Sequence, residues 1–178
     1  MNNWIYSANK DNTVRFLLGE KGKKNLICIG INPSTATPEK LDKTIITLRK
    51  IANLNGYDGW LMINVYPQRD TYPYNIHDKQ LNELIELNKS EINRILSESN
   101  YQDVWAAWGN EINRRPYLLD CLKEIRNLFD KKYHWIHYSN PTKYQNPRHP
   151  SRLGYNDTFT NFDIDNYLLL KQSGKKIN

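Results

Sequence analysis

Four short stretches of this sequence carry side chains that could do chemistry, and each follows an apolar run. Residues 26–36 read LICIGINPSTA, an apolar run that ends in Asn32-Pro33-Ser34-Thr35. Asn64 sits near the end of a second run, within LMINVYP. Gly109-Asn110-Glu111 follows Val104–Trp108, and Arg148-His149-Pro150-Ser151-Arg152-Leu153 lies across a loop from His134–His137. Together they hold three asparagines, a histidine and arginines. A side-chain amide presents a donor and an acceptor on one plane, and a neutral imidazole does the same. Such groups hold and orient a polar ligand. The residues needed for other chemistries are missing. No carboxylate pair and no Ser-His-Asp spacing stands out, and the phosphate-loop patterns GxGxxG and GxxxxGK[ST] are absent. The four histidines form no HxxxH or HExxH pattern, and two cysteines cannot supply the four thiolates of an iron–sulfur cluster. Cys28 and Cys121 read as small core residues. No metal and no cofactor is expected.

The elements that must position these residues alternate in type. Trp4–Ala8 and Val14–Leu18 read as a hairpin around Asn9-Lys10-Asp11-Asn12. Apolar strands follow at Leu26–Ile31, Trp60–Val65, Val104–Trp108 and His134–His137. Helical periodicity covers Leu41–Leu54, stopping at Asn55-Gly56, then Lys79–Ser97, Pro116 to about Phe129, and Phe162–Lys171. Strands alternating with helices predict an α/β fold of three layers, α/β/α, around a central, mainly parallel four-stranded sheet. One domain is expected over 1–178, with an N-terminal hairpin segment at 1–23 and a core at 24–170. In open parallel sheets, ligands bind beyond the carboxyl ends of the strands, where all four candidate stretches fall.

Composition narrows the partners. Net charge is +6, with small basic clusters at Lys21–Lys24, Arg114–Arg115, Arg148–Arg152 and Lys171–Lys176. A basic balance favours a polyanion, nucleic acid first. Five Trp and twelve Tyr offer stacking groups, although most aromatics in a chain of this size are core. No run is apolar enough to span a membrane, and MNNWIYSANK lacks the apolar stretch of a signal peptide. A cytoplasmic protein without a membrane partner is expected.

The four stretches, in order, resemble the motifs of the uracil-DNA glycosylase superfamily. Gly30-Ile31-Asn32-Pro33 is similar to the water-activating motif of its mismatch-specific branch, and Leu61-Met62-Ile63-Asn64 to the strand that ends in a base-reading asparagine. Val104–Gly109 is similar to the strand before the last motif, and His149-Pro150-Ser151-Arg152-Leu153 to the minor-groove loop. The run NPSTA, followed by Asp42-Lys43-Thr44 and PRHP, also resembles a family of short bacterial and phage proteins whose domain has no assigned function. The superfamily resemblance implies a monofunctional DNA glycosylase. It flips out a nucleotide, holds the base, aims water at C1′ and stabilises the departing base.

Under that resemblance Asn32 positions the water and Asn64 reads the pyrimidine edge. His149 donates to the leaving base, and Leu153 fills the vacated stack. Ser151, Arg152, Arg148 and Lys143 contact DNA, mainly its phosphates. Tyr66 and Tyr57 are the candidates to stack on the base. The uracil-specific branch closes its pocket with a tyrosine where this sequence has Ser34. The small wall of Ser34, Thr35 and Ala36 implies a base with a large hydrophilic 5-substituent, hydroxymethylated or glucosylated as in phage DNA, and a role in anti-phage defence. It would equally admit uracil or mismatched thymine. The resemblance implies a monomer that binds DNA containing a modified base.

Blander readings stand beside these. Asn32-Pro33 also fits a plain turn, Asn64 a satisfied core amide, and Glu111 the surface. A nucleic-acid-binding module without catalysis and a hydrolase or transferase of free modified nucleosides or nucleotides are the competing functions.

Overall fold

The computed structural model describes residues 3–98 and 101–173. Its elements are β1 (Trp4–Ala8), β2 (Arg15–Glu20), β3 (Asn25–Gly30), α1 (Lys43–Leu54), β4 (Gly59–Asn64), α2 (Asn82–Glu98), β5 (Tyr101–Ala106), α3 (Tyr117–Arg126), β6 (His134–Tyr138), β7 (Phe159–Asn161) and α4 (Ile164–Gln172). The strands form one mixed seven-stranded sheet in the order β1-β2-β4-β3-β5-β6-β7. Its centre is the parallel set β4-β3-β5-β6. The sheet is larger than the four strands predicted, for two reasons. The N-terminal hairpin is not an appendage, because β2 pairs antiparallel with β4, Leu18 opposite Met62. At the other edge β7, only three residues long, pairs antiparallel with β6.

Alternation along the central strands sends side chains into two cores. Leu26 and Cys28 of β3, Trp60 and Met62 of β4, and Trp105 of β5 pack with Ile45, Leu48, Ile51 and Ala52 of α1. Ile27, Ile29, Leu61, Ile63, Val104 and Ala106 face the other way, toward Ile92 of α2, Leu118 and Leu122 of α3, and Tyr167 and Leu168 of α4. Helices thus cover both faces, and the parallel strands all end at one edge. Asp42 starts α1 as its N-cap, accepting from the Ile45 N–H at 3.0 Å. Gly56, at φ +79, takes the left-handed turn just after the helix.

Both cysteines are buried free thiols. Among the described residues, no helix is long and apolar enough to cross a membrane, and no group of three His, Cys, Asp or Glu side chains could hold a metal ion. Of the basic tail, Lys171 donates to the Tyr144 carbonyl at 2.9 Å, while Lys175 and Lys176 lie outside the described residues, as do Met1 and Asn2.

Candidate functional site

A cleft of about 860 Å³ opens beyond the carboxyl ends of the parallel strands. Its walls come from three of the four stretches that the sequence singles out, with Met62 from the fourth, and from further segments. Asn32, Ser34 and Thr35 follow β3. Trp108, Gly109, Asn110 and Glu111 follow β5. Thr142, Arg148, His149, Ser151 and Arg152 follow β6. The additional walls are Arg15 at the start of β2, the Asp42–Ile45 turn that opens α1, and Asp70, Thr71 and Pro73 beyond β4.

Asn32 is held tightly. Its Nδ2 donates to the Asp70 carbonyl at 2.9 Å and to the Pro33 carbonyl at 3.1 Å, and the Asp70 N–H returns a bond to Pro33 O at 2.9 Å. The amide is therefore anchored by its nitrogen. Among the described residues Oδ1 has no partner, and it is not sealed from solvent, so it is the atom Asn32 offers to the cleft. This use of both ends explains an asparagine here. An aspartate would set oxygen against two carbonyl oxygens.

His149 is fixed by its own turn. The Ser151 N–H donates to Nδ1 at 3.4 Å, and Ser151 Oγ lies 2.9 Å from the same nitrogen. A backbone N–H can only donate, so Nδ1 is an acceptor and the neutral ring carries its proton on Nε2. Nε2 has no partner among the described residues. Burial pushes the imidazole down to about 4, against an opposing pull from Asp42, so it is neutral at physiological pH. Gly109 gives the ring its space. A Cβ there would stand 3.1 Å from His149 Cβ, and the backbone is left-handed, at φ +67.

A hydrogen-bonded chain ties the segment after β6 to the end of β5. Trp108 Nε1 donates to Tyr167 Oη at 3.0 Å, Tyr167 donates to Asn146 Oδ1 at 2.9 Å, and Asn146 Nδ2 donates to Asn110 Oδ1 at 3.0 Å. Thr142 Oγ1 also donates to Asn110 Oδ1, at 2.7 Å, and the Gly109 N–H donates to Pro147 O at 3.0 Å. Asn110 and Asn146 are thus positioning residues.

Asn64 lies deeper than expected. It is fully buried, and both its side-chain atoms lack a partner. It is not the satisfied core amide of the bland reading, nor does it line the cleft. Met62, which does, shares the space over Gly30 with it. A Cβ on Gly30 would fall 2.4 Å from Met62 Cε and 3.0 Å from Asn64 Oδ1.

The two stacking candidates are placed elsewhere. Tyr66 is fully buried in the core under α2 and α3, with its hydroxyl beside His77 Nδ1 at 2.9 Å and accepting from the Leu81 N–H at 3.2 Å. Tyr57 is buried in the α1 core and donates to Asp103 at 2.8 Å. Neither lines the cleft, since each has a hydroxyl partner that holds it within the fold. Trp108 is the aromatic in the wall. Tyr72 and Tyr74 form an exposed stacked pair, centroids 5.3 Å apart, beside Pro73 at the rim.

Of the DNA-contacting candidates, Arg148, Ser151 and Arg152 line the cleft. Leu153 is half-buried against the α1 core, and Lys143 is exposed beside Tyr144, outside the lining. Ser34 is half-buried in the wall, with its hydroxyl 3.4 Å from Thr71 Oγ1. Among the described residues, Arg15, Lys43, Arg148 and Arg152 have no acidic partner within salt-bridge distance, although Asp42, Asp70 and Glu111 share the cleft. Those acids are engaged elsewhere. Asp42 caps α1, Asp70 accepts from the Tyr72 N–H at 2.8 Å, and Glu111 pairs with Arg114 at 2.8 Å.

The cleft of this α/β chain lies at the ends of its parallel strands, where open-sheet proteins bind their ligands. The family profile described as "Protein of unknown function (DUF1643)" matches residues 15–151, and the chain belongs to that family. No curated protein and no solved structure matches the chain.

Proposed function

We propose that the chain is a monofunctional DNA glycosylase of the uracil-DNA-glycosylase type, acting on a flipped-out pyrimidine with a 5-substituent. The observation that carries this reading is the pairing, in one cleft, of an accessible Asn32 Oδ1 with a neutral His149 that presents Nε2–H. Hydrolysing an N-glycosidic bond needs a placed water and a donor where charge develops on the leaving base. Asn32 Oδ1 accepts from and aims the water, and its anchored nitrogen keeps the aim. His149 donates from Nε2 to the base oxygen, and the Ser151 contacts hold the tautomer. No metal or cofactor is required for these steps.

The basic side chains Arg148, Arg152 and Lys43, which have no acidic partner among the described residues, suit phosphates of a bound strand. About 860 Å³ is more than a bare pyrimidine fills, and Ser34 and Thr35 leave that space open. Asn64 reads the base edge once Met62, a flexible side chain, swings aside. That contact would satisfy an amide that has no partner among the described residues.

The substrate class is tested by Ser34→Tyr, which rebuilds a closed wall. The variant is expected to lose at least tenfold in excision of 5-hydroxymethyl or glucosylated pyrimidines while cleaving uracil as wild type does. Equal losses on all bases, or a wild type that prefers uracil, would remove the 5-substituent from the proposal.

A further inference from the structure

Arg15 is an arginine in the wrong place for a purely structural role. It is 2% exposed, at the start of a strand that is otherwise apolar apart from Gly19 and Glu20, and it lines the cleft. Nη1 donates to the Ala36 carbonyl at 3.0 Å. Nε is sealed from solvent without an acceptor, and Nη2 has none among the described residues. Among the described residues no carboxylate lies within salt-bridge distance, and the neighbouring cation is Arg69, which bonds the same Ala36 carbonyl at 3.0 Å. Burial, and then the like charge of Arg69, pull the guanidinium down to about 10 against an opposing pull from Asp42, which still leaves it charged at neutral pH. A buried charge that no carboxylate contacts directly is a costly arrangement in a fold, and Asp42 compensates it only from beyond salt-bridge distance.

The surroundings complete an anion site. The first turn of α1, at Lys43 and Thr44, lines the same cleft with N–H groups that have no helical acceptor, at the positive end of a 12-residue helix. The acids nearby are occupied, Asp42 by the Ile45 N–H and Asp70 by the Tyr72 N–H and Asn75 Nδ2. We propose that Arg15 and the first turn of α1 form a subsite for one phosphate group of the ligand. It lies within the cleft wall and is separate from the contacts made by Arg148 and Arg152. This stands on the geometry of Arg15 and does not depend on glycosylase activity.

The test measures binding, not excision. Wild type and Arg15→Met are melted with increasing inorganic phosphate against chloride at matched ionic strength, and phosphate affinity is read from tryptophan fluorescence, Trp108 being in the wall. Phosphate is expected to raise the wild-type melting temperature in a concentration-dependent way. Arg15→Met is expected to bind phosphate at least tenfold more weakly and, in chloride, to melt no lower than wild type. Competition by thymidine 5′-monophosphate and by a short unmodified oligonucleotide then tells whether the phosphate belongs to a free nucleotide or to a strand. The proposal is overturned if phosphate does not stabilise wild type, if Arg15→Met keeps the phosphate response, or if that variant is unfolded or clearly destabilised. Arg15→Lys keeps the charge on a shorter reach and is expected to retain part of the response, whereas complete loss with an intact fold contradicts the charge argument.

Discussion

Replacing Asn64 with leucine should make the protein more stable and less active. Asparagine and leucine have the same branched outline, so the change swaps two polar atoms for two methyl groups. Both atoms are fully buried and unpaired. A buried polar group without a partner costs about 1–3 kcal/mol. Leucine removes that cost, offset by tighter packing against Met62 above Gly30. A net gain of about 1–2 kcal/mol is expected, which for a chain of this size is a rise of about 2–8 °C in melting temperature. Excision should fall at least about 100-fold, because a site built to hydrogen-bond its substrate loses heavily when the bonds are removed. Thermal melts and kcat/KM on one preparation test both halves. A drop of several degrees would mean that the amide is a satisfied structural group, and unchanged excision would mean that it never meets the base.

Asn32→Asp is expected to lower both excision and the melting temperature at pH 7, by about 1–3 kcal/mol in stability, since its oxygen replaces the Nδ2 that donates to Asp70 O and Pro33 O. A faster, equally stable variant would contradict the anchoring geometry. His149 binds its proton only near pH 4 in the fold, against an ordinary value near 6.5 in the unfolded chain. The unfolded state therefore holds more protons between those values, and stability should fall as pH drops from about 6.5 to 4, by an amount that His149→Gln abolishes in parallel acid melts. For the same reason kcat/KM should show no histidine inflection near 6.5. Gly109→Ala combines a left-handed backbone with a Cβ 3.1 Å from His149 and should cost about 1–2 kcal/mol by denaturant titration, with a larger loss in excision than in stability.

The strand endings were legible because chemistry-bearing residues interrupt apolar runs there. Those endings bring Asn32, Asn110, Arg148 and His149 around one cleft. The central parallel strands followed from their two-sided hydrophobicity, but β7 did not. Three residues in a polar stretch carry no period, and only pairing with β6 makes them a strand. Tyr66 and Tyr57 read as free aromatics because a sequence does not show where a hydroxyl finds its partner, here His77 and Asp103. Arg15 had a visible signal, a cation at the head of the buried strand RFLLGE, yet its place in the cleft wall depended on the antiparallel docking of β2 beside β4. Asn64 was visible as an amide in an apolar strand, but its depth beneath Met62 belongs to packing alone.

The central claim is excision. The most direct measurement is alkali-labile strand breakage in duplexes carrying uracil, mismatched thymine, 5-hydroxymethyl or glucosylated pyrimidine, after incubation with wild type and with Asn32→Ala. Breakage at a 5-substituted pyrimidine by wild type, reduced at least about 100-fold in the variant, is the expected result. Absence of abasic product on every duplex would contradict it.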